Sequence, residues 1–217
     1  MTIDWAIIWE SIPLLAQGLW VTLYVSAIAG LLGTLLGVIL GLIALGGIAP
    51  LRWLVRGYVD FIRGTPLLIQ IFLVFFVLPS LGVRFDEITA GIVALALNAA
   101  AYIAEVVRGG VGAVEKGQRE AALSIGMNPP TILVYILLPQ AYRAMVPPLT
   151  NELISLVKNS SLLSVISVYE LTRAGQAIIS VHFVPFEIYT LLALYYYALI
   201  SLLSWLSRLL ERRLPVW

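Results

Sequence analysis

The chain has 217 residues, 61% of them hydrophobic and only 12% charged, against about 25% charged in a soluble domain. Its apolar runs are too long for barrel strands, so it reads as an all-α integral membrane protein built as a single domain over residues 1–217. The absence of cysteine excludes disulfides, thiol catalysis and thiolate metal sites, and the lone His182 argues against a histidine-built metal centre.

The opening "MTIDWAIIWE" carries acids where a signal peptide needs bases, so the first apolar span is expected to stay as an uncleaved anchor. A bilayer core of ~30 Å takes about 20 apolar residues per helix. Runs that meet this demand are expected over 19–45, 66–81, 88–107, 132–157 and 188–206, five in all. Tyr58–Ile62 is expected to lengthen the short second run, and Leu162–Val168 is too short to cross. In the first run Gly33, Gly37 and Gly41 recur every four residues, a stripe that lets helix backbones approach closely in lipid. Spacing alone leaves open whether the approaching helix is in the same chain or in another subunit. The six tryptophans fall near the ends of these runs, as interfacial anchors do.

Basic residues set the orientation. Arg52, Arg56, Arg63, Arg108, Lys116, Arg119, Arg208, Arg212 and Arg213 fall on one side and only Arg84 and Arg173 on the other, with Arg143 and Lys158 assigned to the fourth run. The N-terminus is therefore expected outside and the C-terminus in the cytoplasm, which an odd number of spans satisfies. The connection at 108–131 becomes the longest cytoplasmic one. Within it Gln118–Ile125 has good helix formers, Gly126 suits a left-handed C-cap, and Pro129-Pro130 suits the start of a second helical segment. A short helix lying across the membrane face results, with Glu120, Ala121 and Ala122 on it.

The stretch "GQREAALSIGMNPPTILVYILLP", Gly117–Pro139, resembles the EAA loop of ABC importer permeases, with Glu120, Ala121, Ala122, Gly126, Ile136, Leu138 and Pro139 at the motif positions. "RGTPLLIQ" (Arg63–Gln70), "NAAAYIAEVVRGGVGAVEKGQREAA" (Asn98–Ala122) and "LERRL" (Leu210–Leu214) resemble the permeases of polar amino-acid uptake systems, which carry histidine, glutamine, arginine or glutamate. The resemblance runs from about Leu19 to Leu214; adjacent Pro129 and Pro130 depart from the usual pattern. It implies a type I ABC importer permease fold in the bacterial cytoplasmic (inner) membrane. It also implies a second permease subunit (self or similar), two cytoplasmic ABC ATPase subunits and an external amino-acid-binding protein, with no nucleic acid. Glu120, Ala121, Ala122, Gly126 and Pro139 would couple to the ATPase. ATP and magnesium would sit on that partner, and this chain is expected to carry no cofactor and no catalytic residue. Consistent with this, it contains no G-x-x-x-x-G-K-[ST] phosphate loop.

Polar groups at membrane depth are costly, which makes each a pathway candidate. Asn98, Tyr102 and Glu105 share one helical face, with Glu105 three residues from Arg108 and so read first as its ion-pair partner. Asn151, Ser155, Lys158 and Asn159 form a second stripe beside Glu152, followed by Ser160, while Pro147 and Pro148 are expected to interrupt that helix. A zwitterionic amino acid needs an acceptor for its ammonium, for which Glu152 or the carbonyls freed by the prolines serve, and donors for its carboxylate, for which Lys158, Asn159 and Ser160 serve. The plainer alternative is a Glu152–Lys158 pair that closes the bundle. Permeation of another small solute, an opine or oligopeptide, is the neighbouring reading; an ATP-independent secondary transporter is the distant one, and it lacks the internal repeat expected of that class.

Overall fold

The computed structural model describes residues 5–211; Arg212, Arg213, Trp217 and the end of the "LERRL" segment lie outside the described residues. Those residues form helices joined by short turns: α1 (Trp5–Leu45), α2 (Ala49–Gly64), α3 (Leu67–Phe72), α4 (Glu87–Gly112), α5 (Lys116–Ser124), α6 (Pro129–Ile132), α7 (Leu138–Asn159), α8 (Leu171–His182) and α9 (Pro185–Glu211). A π turn (Leu73–Val77) and a 3-10 turn (Leu78–Leu81) prolong α3; another π turn (Leu133–Leu137) joins α6 to α7, and a 3-10 turn (Ser160–Ile166) extends α7. Four helical stretches are long and apolar enough to cross a membrane, and a fifth arises if α2 and the α3 segment form one broken span.

That broken span differs from the straight extension through Tyr58–Ile62 expected from sequence. The two pieces meet at 111° across Gly64–Thr65–Pro66. Proline disfavours helical backbone in the residue before it, and Thr65 is accordingly extended. Gln70, buried, holds the corner: its Nε2 donates to the Ile62 carbonyl at 2.7 Å, the Thr65 carbonyl at 3.1 Å and Thr65 Oγ1 at 3.0 Å.

The core is the α1–α4 pair, aligned in the same direction. A Cβ added to Gly33 would lie 2.9 Å from Ala99 Cβ, one at Gly37 2.6 Å from Ile103 Cβ, and one at Gly41 2.7 Å from Val107 Cβ. The glycine stripe is thus an intrachain contact. Ala96, Ala100 and Ala104 present their backbone carbonyls to it, between the side chains of Ala99, Ile103 and Val107, so the bare backbone of α1 settles directly onto α4. α3 and the 3-10 turn after α7 close the same core through Ile71, Val74, Leu163 and Ile166.

α1, 41 residues and roughly 60 Å long, is about twice the bilayer core. Its first part packs with α8 and α9 through Leu15, Leu171, Ala174, Ile178, Ile188 and Leu192. There Glu170 is wholly buried and caps α8, accepting from the Thr172 and Arg173 amides at 2.9 and 2.8 Å. Its Oε2 also accepts from Tyr196 Oη of α9 at 2.9 Å and lies 3.5 Å from Thr22 Oγ1 of α1. Burial pushes this carboxyl above the usual carboxylate range, outweighing the downward pull of those donors.

The interruption expected at Pro147-Pro148 does not occur, and α7 runs through both. Each proline forfeits its own amide donor and crowds the carbonyl four residues earlier, yet helical backbone continues through both. Thr150 Oγ1 adds bonds to the Val146 and Pro147 carbonyls at 3.1 and 2.9 Å across this stretch.

Candidate functional site: a polar cleft between α4 and α7 and a surface helix at one end

α4 and α7 run in opposite directions and turn their polar stripes toward each other. Two adjoining cavities separate them. The deeper, of about 420 Å³, is lined by Thr65, Pro66 and Leu67 at the helix corner, Asn98 and Tyr102 of α4, and Glu152, Ser155 and Asn159 of α7. The second, about 600 Å³, shares Tyr102, Glu152 and Ser155 and continues toward the α5 end past Asn151, Arg63, Glu105 and Arg108. Tyr102, Glu152 and Ser155 therefore belong to a single cleft, within the size range of small-molecule sites.

The sequence-predicted residues divide on this geometry. Asn98, Tyr102, Asn151, Glu152, Ser155 and Asn159 all line the cleft. Lys158 is exposed and borders neither cavity. Ser160 is fully buried and gives its hydroxyl to the Val157 carbonyl at 2.9 Å. Asn98 borders the cleft but is itself buried, and its Nδ2 donates to Gln70 Oε1 at 2.9 Å. Its first duty is to tie α4 to the helix corner.

Glu105 and Arg108 form the expected pair, bidentate at 2.9 and 2.8 Å. Arg63 of α2 joins it, 3.4 Å from Glu105 Oε2, with its guanidinium 5.5 Å from the centre of the Tyr102 ring. Periodicity missed Thr65 and Arg63, which line the cleft, and Gln70, which holds the corner behind it. All three sit in "RGTPLLIQ", whose T-P step was the available signal for a corner.

At the α5 end, the capping reading of Gly126 holds in atomic detail. Gly126 takes φ +82°, its amide donates to the Leu123 carbonyl at 3.0 Å, and the Met127 amide donates to the Ala122 carbonyl at 3.1 Å. Asn128 then caps α6, its Oδ1 accepting from the Thr131 amide at 3.0 Å, with Pro129 and Pro130 in the first turn. Ala122 is buried, whereas Glu120, Ala121, Gly126 and Pro139 are exposed. Leu123 and Ile125 expose apolar side chains beside them, Ile125 to 78%. A rigid, partly apolar helix thus lies open on the surface. Among the described residues, no three His, Cys, Asp or Glu side chains gather closely enough to hold a metal ion.

Residues 33–216 match the family described as binding-protein-dependent transport system inner membrane component. The chain is 39% identical, over the full length of both, to the glutamine transport system permease protein GlnP of Escherichia coli K12. It is 38% identical to the L-cystine transport system permease protein TcyB of Bacillus subtilis, covering 98% of this chain and 92% of that one. To the arginine transport system permease protein ArtQ of Bacillus subtilis it is 34% identical, covering 99% and 98%. Among solved structures, a chain from the crystal structure of an amino acid ABC transporter with histidines superposes with TM-score 0.93 at 39% identity, covering 99% of this chain and all of that one. A chain of the inward-facing MetNI methionine ABC transporter shares the fold, with TM-score 0.81 at 23% identity over 99% of this chain.

Proposed function

This chain belongs to the inner membrane components of binding-protein-dependent transport systems, multi-pass permease subunits of ABC importers, and from that membership we propose that it forms the translocation pathway for polar amino acids. The observation that carries the reading is the cleft between α4 and α7: amid apolar faces, it gathers Asn98, Tyr102, Asn151, Glu152, Ser155 and Asn159 around space for a small solute. Related permeases named for glutamine, cystine and arginine support an amino-acid cargo. Glu152 accepts the substrate ammonium, and the neutral amides and hydroxyls around it orient the remainder.

The α5 helix, held by its glycine cap and exposing Glu120, Ala121, Leu123 and Ile125, is the docking element for a cytoplasmic ATPase. The concentration of basic residues at this end supports a cytoplasmic position for it, with the N-terminus outside. A second permease subunit faces the open side of the cleft, and an external binding protein delivers the amino acid. Closure of the ATPases on ATP moves the two docking helices together and turns the cleft from inward-open to outward-open; hydrolysis resets it. The chemistry of ATP belongs to the partner.

Pull-down of the tagged chain from membranes, followed by ATPase assay of the recovered material, tests this reading. An ATPase should copurify, be lost when Glu120–Gly126 is rebuilt, and be stimulated by a binding protein loaded with its amino acid. Recovery of the chain alone, moving solute into liposomes down an ion gradient, would overturn it.

A further inference from the structure

A pathway for a zwitterion needs a partner for the carboxylate as well as for the ammonium, and the cleft's neutral donors are weaker candidates than a charge-assisted pair. Lys158 lies off the lining, Ser160 is spent on its own helix, and Asn98 is committed to Gln70. The cationic groups that do border the cleft are Arg63 and Arg108.

They are not equivalent. Glu105 is already held by Arg108 through two bonds at 2.9 and 2.8 Å, while Arg63 reaches it only at 3.4 Å. The adjoining cavity brings in Arg56 and Asp60, so Arg56, Arg63 and Arg108 face Asp60 and Glu105 with one positive charge in excess. Arg63 lines both this cavity and the cleft, its side chain is 44% exposed, and the Tyr102 ring supports one face of its guanidinium. A planar fork supported by an aromatic ring, with N–H groups unspent, is suited to a carboxylate.

The geometry points to Arg63 as a carboxylate-binding subsite at the α5-side mouth of the cleft, paired with Glu152 as the ammonium site. This rests on the amino-acid transport reading. The cleft then offers one acid and one surplus base to the backbone of the solute, and Thr65, Asn98, Ser155 and Asn159 to its side chain. That combination fits amino acids with uncharged polar side chains. Entry of the carboxylate loosens Arg63 from Glu105, which keeps Arg108.

The test is equilibrium binding of radiolabelled L-glutamine, competed by L-glutamine or its α-amide, to the purified full-length permease with its copurifying subunits in lipid nanodiscs. Wild type should prefer L-glutamine over the α-amide, which lacks the carboxylate, by about tenfold or more, the range of a charge-assisted hydrogen bond. Arg63→Gln should erase that preference, and Arg63→Lys should keep part of it. Glu105→Gln separates recognition from architecture: as a subsite, Arg63 is released and L-glutamine binds several-fold tighter, whereas a merely structural ion pair would make Glu105→Gln resemble Arg63→Gln. Unchanged preference in Arg63→Gln, or weaker binding in Glu105→Gln, overturns the subsite while leaving the transport reading intact. Absence of L-glutamine binding to wild type overturns the subsite and its fit to uncharged polar side chains, while the pull-down decides the transport reading separately.

Discussion

Two carboxylates, Glu105 and Glu170, stand toward opposite ends of the bundle and are satisfied in opposite ways. Glu105 is partly exposed and holds guanidinium groups from two helices, one tightly and one loosely. Glu170 is sealed, and its partners are two backbone amides and the hydroxyls of α1 and α9. Exposed ion pairs on long side chains are worth little and re-form readily. A buried carboxylate in a complete hydrogen-bond set is costly to disturb, because every donor left behind is also desolvated. The α8 end is therefore locked, and the α5 end, with the cleft mouth and the surface helix, is where the molecule is free to change partners.

Glu170→Ala attacks the lock and should have the largest effect. It removes the α8 cap and leaves the Tyr196 hydroxyl with Thr172 Oγ1, 3.0 Å away, in place of two partners, for an expected loss of about 2–4 kcal/mol; thermal unfolding of the purified chain should show a large fall in Tm or no recoverable protein. Glu152→Gln attacks the working region instead. Uptake should fall at least about tenfold with Tm nearly unchanged, and normal uptake would remove Glu152 from the pathway. Asn159→Ala, on the same wall, should reduce uptake less.

Gly126→Val puts a β-branched residue at φ +82°, where open space surrounds the Cβ but the backbone resists. Detachment of the ATPase in pull-downs is expected, at a cost to the permease itself of only about 1–2 kcal/mol. Glu170→Gln sharpens the comparison more gently. Because burial raises the Glu170 carboxyl above its ordinary value, the folded state binds the proton more tightly than the unfolded state does. Stability should then be greatest at low pH and decline as pH rises from the usual carboxylate range through the raised one. Tm measured across that window should slope downward in wild type and flatten in Glu170→Gln. The smallest shift belongs to Glu105→Gln, which should move Tm by less than the equivalent of about 1 kcal/mol.

The membrane class, the capped surface helix after Gly117 and the two polar stripes were legible in the sequence. Each of these is written in neighbouring residues: run length, helical period, a glycine at a turn, prolines at a helix start. The same local rules put Asn151, Ser155, Lys158 and Asn159 in one stripe beside Glu152, and the cleft took all of these but Lys158. Only the tertiary structure decided what those features meet. The stripe of Gly33, Gly37 and Gly41 had no stated partner until α4 lay against it with its alanines. Lys158 and Ser160 belong to the same run as Asn159, yet the first faces away from the cleft and the second closes on its own helix. Pro147 and Pro148 looked like a break, but a helix inside a packed bundle keeps its path when neighbours hold both ends. Arg63, counted in sequence as a topogenic charge and as the start of "RGTPLLIQ" but not as a pathway residue, reaches the cleft where the chain turns 111° at Thr65–Pro66. Contacts between residues tens of positions apart follow from how backbones pack, and no local period records that.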